Sequence, residues 1–140
     1  MDEVQGNFME KNFLGIDYGT KRIGLAIAGE KERIARPFKI IHKLNELDDI
    51  VPAKNICAFV MGLPLQPDGT EGNTAANARL FANRLQEKYN LPIYWQDERK
   101  TSTSADHYLK ETLCMRPEKR KTILDAESAR IILDRWFQSN

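Results

Sequence analysis

This 140-residue chain is poor in several things that would have set its class. It has two cysteines, Cys57 and Cys114, and no Cys-x-x-Cys pair. That argues against a disulfide framework or a structural zinc site. Cys57 sits inside an apolar stretch and reads as a small core residue. His107 has no ligand partner nearby in sequence and reads as a surface residue. No apolar run approaches membrane-spanning length. The first twelve residues carry Asp2, Glu3 and Glu10 and lack the basic start and apolar segment of a secretory signal. They read as a loose tail (1–12) before a single domain (13–140), and a cytoplasmic protein with no membrane partner is expected. Charge imbalance is also missing: 21 basic against 20 acidic residues give a net +1. No global field draws a polyanion, so any nucleic-acid surface has to be a local patch.

What is present is organised around Phe13-Leu-Gly-Ile-Asp-Tyr-Gly-Thr-Lys-Arg-Ile-Gly-Leu-Ala-Ile-Ala28. Two apolar runs flank the polar turn Tyr18 to Lys21, which predicts a β-hairpin whose first strand is buried on both faces. Asp17 ends that strand. A carboxylate there either caps the turn or is compensated by a metal ion or cationic neighbours.

Arg33 to Ile41 reads as a third strand, held to a sheet edge by Pro37. Leu44 to Val51 is a short helix stopped near Pro52, with Glu46, Asp48 and Asp49 as a solvated face. Ile56 to Met61 is a buried parallel strand. The turn-rich loop Gly62 to Gly72 then lies at the sheet's carboxyl edge, where ligands of α/β folds commonly bind. Thr70 and Asn73 are candidate starts for a helix running from Asn73 to Tyr89. Its stripe is Ala78, Phe81, Ala82, Leu85 and Tyr89, and Asn90 is a plausible C-terminal cap.

Leu91 to Gln96 is the next strand, ending in Asp97-Glu98-Arg99-Lys100. Thr101 to Ser104 offers N-caps for a further helix. Leu113 to Thr122 reads as a loop, and a last helix runs from about Ile123 to Phe137. Antiparallel strands followed by alternating strands and helices predict an α/β fold with a mixed sheet and helices on both faces.

Three acidic positions can meet in such a fold. Asp17 and the Asp97-Glu98 pair end parallel strands at one sheet edge, and strand phase decides which of the pair faces the site. Asp125 lies on the stripe of Ala129, Ile132, Leu133 and Trp136, so it points toward the protein body. An N-terminal dipole interaction would also suit it. Glu127 and Asp134 fall on the other side as surface charges. Three carboxylates without thiolate or imidazole form a hard site suited to Mg²⁺ or Mn²⁺. Two such ions could activate water and stabilise the leaving oxygen of a phosphodiester. Lys21 and Arg22, Arg99 and Lys100, and Arg116, Lys119, Arg120 and Lys121 flank the acidic segments and could hold a nucleic-acid backbone.

The sequence resembles the YqgF-like (RuvX) nucleases of the RNase H-like fold. The resemblance rests on Gly15-Ile-Asp-Tyr-Gly-Thr-Lys-Arg-Ile-Gly24, Gly62-Leu-Pro-Leu with Asp68-Gly-Thr-Glu71, Ala78-Arg-Leu-Phe-Ala82, Asp97-Glu-Arg99 and Asp125-Ala-Glu-Ser-Ala129. These segments occur in the family's order and cover most of 13–137. Ser102-Thr-Ser104 and Glu111 to Thr122 look individual to this chain. The resemblance implies a five-stranded sheet and catalytic, metal-ligating roles for Asp17, Asp125 and Glu98 or Asp97. It implies maturation of the 5′ end of 16S ribosomal RNA, with structured RNA and ribosomal precursor particles as partners. Holliday-junction resolution is the alternative, with branched DNA as partner. It would normally need a symmetric dimer, for which the sequence shows no obvious seam. A non-catalytic nucleic-acid-binding module is a reading of another class, and the acidic triad argues against it. Asp17-x-Gly19-Thr20 also resembles the first phosphate loop of the actin and hexokinase superfamily, but the chain is short for the second domain those folds use.

Overall fold

The computed structural model describes residues 10–97 and 117–140, without the side chains of 117–124. The hairpin strands are β1 (Asn12–Tyr18) and β2 (Ile23–Gly29), and β3 is Arg36–Ile41. A 3₁₀ turn (Leu44–Glu46) leads into helix α1 (Leu47–Ala53), followed by β4 (Ile56–Leu63). Helix α2 (Asn73–Tyr89), β5 (Ile93–Asp97) and helix α3 (Pro117–Ser139) complete the described elements.

The five strands form one mixed sheet in the order β3-β2-β1-β4-β5. β1 is central, antiparallel to β2 and parallel to β4, and β5 is parallel to β4. Its central place is why an apolar run without alternation forms it. β3 is an edge strand, as Pro37 requires, with a register shift where Pro37 meets Ala26.

Helices cover both faces. Strand β2 shows how its sequence sorts them. Ile23, Leu25 and Ile27 enter a core with Leu14, Ile16, Phe59, Met61 and residues of α1 and α2. Ala26 and Ala28 alternate to the other face, which packs under Ala129, Ile132 and Leu133 of α3. Small residues on that face let α3 approach the sheet closely. A Cβ on Gly15 would lie 2.9 Å from the Ala129 carbonyl oxygen, and one on Gly24 would lie 1.9 Å from the Asp125 carbonyl oxygen.

Several boundaries differ from the sequence expectations. β1 takes in Asn12, which was assigned to the tail. β3 begins at Arg36 rather than Arg33, because Arg33 takes φ 58° in a turn and donates its N–H to the Gly29 carbonyl at 2.9 Å. Helix α1 carries Pro52 inside its last turn and ends one residue later. Asp48 is not simply solvated: it accepts hydrogen bonds from the Tyr89 hydroxyl at 2.7 Å and the Lys88 ammonium, tying α1 to α2. Glu46 accepts the backbone N–H groups of His42 and Lys43 and so starts the 3₁₀ turn. Asn90 takes the left-handed conformation at the end of α2, as expected. Gly72 occupies the N-cap, while the Thr70 hydroxyl bonds within the loop to Asp68 and Gln66.

The largest difference is at α3. It begins at Pro117, six residues before the expected start, so Lys119, Arg120 and Lys121 are helical and not in a loop. Proline suits the first helical position, and glutamate, lysine and arginine are good helix formers. The helix expected after Thr101, with His107, and Cys114 lie outside the described residues. Among the described residues, no helix is long and apolar enough to cross a membrane.

Candidate active site

The site is built where α3 crosses the carboxyl end of β1. Alternation along β1 sends Phe13, Gly15 and Asp17 to the α3 face, and Phe13 contacts Trp136 and Phe137 there. Asp17 is the direct cross-strand partner of Gly24. Residues opposed in this way share a face, with Cβ positions about 4.5–5.5 Å apart. Because Gly24 has no side chain, the backbone of Asp125 occupies that space. Asp17 and Asp125 therefore come to one corner of the molecule.

Arg22, just before β2, holds Asp125 in orientation. Its Nε donates to Asp125 Oδ2 at 2.6 Å, and both side chains are mostly buried, at 30% and 24% exposure. Sequence reasoning gave Arg22 to the nucleic acid and missed this contact, because the two residues are 103 apart in the chain. Lys21 is exposed on the same turn, and its carbonyl hydrogen-bonds His42 Nδ1 at 3.2 Å.

Of the remaining acids, strand β5 carries Asp97. Tyr94 stacks on Trp136 of α3, with ring centres 4.8 Å apart, while Trp95 takes the Arg79 guanidinium of α2 over its ring at 4.9 Å. Asp97 follows Trp95 by two residues and lies on the α2 side by alternation, away from Asp17 and Asp125. Glu98 and Arg99 lie outside the described residues, as do the side chains of Lys119, Arg120 and Lys121.

The loop after β4 is fixed by contacts that spacing rules do not reveal. Glu71 receives two hydrogen bonds from Arg79, at 2.8 and 2.6 Å. The Arg79 bond holds the Glu71 carboxyl below the usual range. Arg79 thus bridges the loop to Trp95. On α3, Glu127 is not an ordinary surface charge: it is 20% exposed and paired with Arg130. Ser128 is buried beside them. Cys57 is half-buried against the α3-side core, and burial raises its thiol pKa.

Among the described residues, no three His, Cys, Asp or Glu side chains group as a metal site. Asp17 and Asp125, whose backbones lie around Gly24, carry only oxygen donors, the chemistry that suits a hard divalent cation. The Arg22 guanidinium on Asp125 shows that this corner accommodates positive charge.

Strand order, the antiparallel hairpin beside parallel strands, and an aspartate ending the central strand define an RNase H-like domain. The fold is similar to Thermus thermophilus RuvC in complex with a Holliday junction (TM-score 0.54, 14% identity, 92% of this chain and 96% of that one). It is also similar to the fowlpox virus resolvase bound to Holliday junction DNA (TM-score 0.53, 10% identity, 91% and 97% covered). The chain belongs to the RuvX family, whose model, described as a Holliday junction resolvase, matches residues 11–139. Relatives provisionally designated pre-16S rRNA nucleases include one from Burkholderia vietnamiensis, 37% identical over 134 residues (91% of this chain, 89% of that protein). One from Maridesulfovibrio salexigens is 39% identical over 130 residues (89% and 96%).

Proposed function

We propose that this protein is a divalent-metal-dependent nuclease that hydrolyses phosphodiester bonds and processes the 5′ end of pre-16S ribosomal RNA. The observation that carries the reading is the packing of the Asp125 backbone on Gly24, the cross-strand partner of Asp17, in a chain of the RuvX family. Asp17, Asp125 and Glu98 would hold Mg²⁺ or Mn²⁺. Strand phase favours Glu98 over Asp97, because Asp97 falls on the α2 side. When bound, the metal supplies an activated water and neutralises the leaving oxygen.

The chain's own residues prepare that chemistry. Arg22 fixes one oxygen of Asp125 and leaves the other for the metal. Lys21, Arg99, Lys119, Arg120 and Lys121 would take backbone phosphates around the carboxylates. Structured RNA and ribosomal precursor particles are the proposed partners, and the cytoplasm the proposed location.

Junction resolution is the second reading, favoured by the description of the family model. Cleavage of a precursor-rRNA 5′ fragment and of a four-way DNA junction, side by side with Mg²⁺, Mn²⁺ or chelator, separates the two. The first reading expects metal-dependent cutting of the RNA. Cutting of the junction alone, in symmetric pairs, would replace it with the second.

A further inference from the structure

Across the sheet from α3, the turn that joins β1 to β2 walls a cavity of about 660 Å³. Tyr18 and Thr20 form one side, His42 and Lys43 follow from the end of β3, and Phe81, Arg84 and Lys88 come from α2. Lys88 is paired with Asp48 at 3.0 Å. Lys43 and Arg84 make no ion pair among the described residues, and Glu87 is the one carboxylate in the lining. The cavity therefore offers two uncommitted cations. It also offers an aromatic wall, because half-buried Tyr18 packs on Phe81 with ring centres 4.8 Å apart.

Position gives this chemistry a purpose. Tyr18 follows Asp17 in β1, so their side chains leave the same strand end on opposite faces. Gly19 and Thr20 line the cavity beside Tyr18, so the turn after Asp17 leads from the candidate site to the cavity. A base stacked on Tyr18 has to be unpaired and out of a duplex stack. We propose that the cavity binds one nucleotide of the RNA strand being cut, a short way along from the scissile phosphate. Lys43 and Arg84 hold its phosphate, and its base lies against Tyr18. The inference rests on the nuclease reading and adds a requirement for single-stranded RNA beside the cut. Stacking and local phosphate contacts are how such sites gain affinity when net charge is near zero.

The test uses the full chain carrying Asp17→Asn, so that RNA stays intact. Fluorescence anisotropy measures its binding to single-stranded RNAs of increasing length, and to duplex RNA, across a salt series. Adding Lys43→Ala and Arg84→Ala should weaken binding of the longer single strands at least severalfold. It should also make the salt slope shallower by roughly 1.4, at about 0.7 for each lost single-strand phosphate contact. Binding of the shortest RNA and of duplex should change little. Thermal melts check the fold, and a Lys43→Gln, Arg84→Gln pair replaces the alanines if these melt early. Equal affinities and slopes, while wild type still cleaves precursor RNA, overturn the cavity proposal alone. If wild type neither binds nor cleaves RNA, the nuclease reading falls and the cavity proposal with it.

Discussion

Arg22 and Asp125 form a 2.6 Å charged hydrogen bond between the start of β2 and the last helix. This bond orients the Asp125 side chain, and the bare Gly24, cross-strand partner of Asp17, lets the Asp125 backbone pack against β2. Removing either feature should disturb the site without touching Asp17.

Arg22→Ala releases Asp125 from its orienting partner. Cleavage should fall about 10–100-fold, as when other groups that orient metal ligands are removed. Stability should fall by roughly 1.5–3 kcal/mol at most, the range for a hydrogen bond to a charged group. Arg22→Lys should be intermediate, because it keeps charge but loses the planar fork. Cleavage assays with urea unfolding check both effects.

Gly24→Ala puts a methyl group where the Asp125 carbonyl sits, at 1.9 Å, so α3 has to move. The expected cost is at least about 1–3 kcal/mol, the range for overpacking a tight interior. Activity should be lost along with it. Gly15→Ala, at 2.9 Å from the Ala129 carbonyl, should be milder in both respects. Denaturant midpoints rank the two.

Tyr89→Phe removes the hydroxyl that donates to Asp48. Hydrogen bonds from Tyr89 and then Lys88 lower the Asp48 pKa, and burial followed by the Asp48 bond raises that of Tyr89. A depressed carboxylate stabilises the fold above its unfolded pKa and loses that contribution as pH falls through its folded value. The stability gap between wild type and Tyr89→Phe should therefore be full at neutral pH. It should close as pH falls below the ordinary carboxylate range. Urea midpoints between pH 7 and 3 read this out.

Lys119, Arg120 and Lys121 stand in the first turns of α3 rather than in a loop. Replacing all three with alanine, the best helix former, should preserve the helix. RNA of every sequence should bind more weakly, with a salt slope shallower by roughly 0.7–0.9 per lost phosphate contact. Unchanged slopes and affinities would leave this cluster no part in binding.

The fold was legible where side-chain pattern and backbone demand coincide. The continuous apolar run through Ile16 announced a central strand. The stripe from Ala78 to Leu85 announced α2, and Asn90 marked its C-terminal end. The same periodicity aimed Asp125 at the sheet before any partner was known. Helix α3 was read short because its first residues carry helix propensity without an apolar period. The phase of β5, which puts Asp97 on the α2 side, shows only in the contacts of Tyr94 and Trp95. Arg22 on Asp125 and Arg79 on Glu71 are contacts through space that no spacing rule anticipates.

The most direct measurement is cleavage of a precursor-rRNA 5′ fragment by Asp17→Asn and Asp125→Asn, each beside wild type, with Mg²⁺ or Mn²⁺ and with chelator. Each substitution removes charge and leaves shape almost unchanged. Wild type should cut only with metal. Both variants should be inactive, with thermal melts showing that the fold survives. Full metal-dependent activity in a pure, folded Asp17→Asn protein would contradict the account.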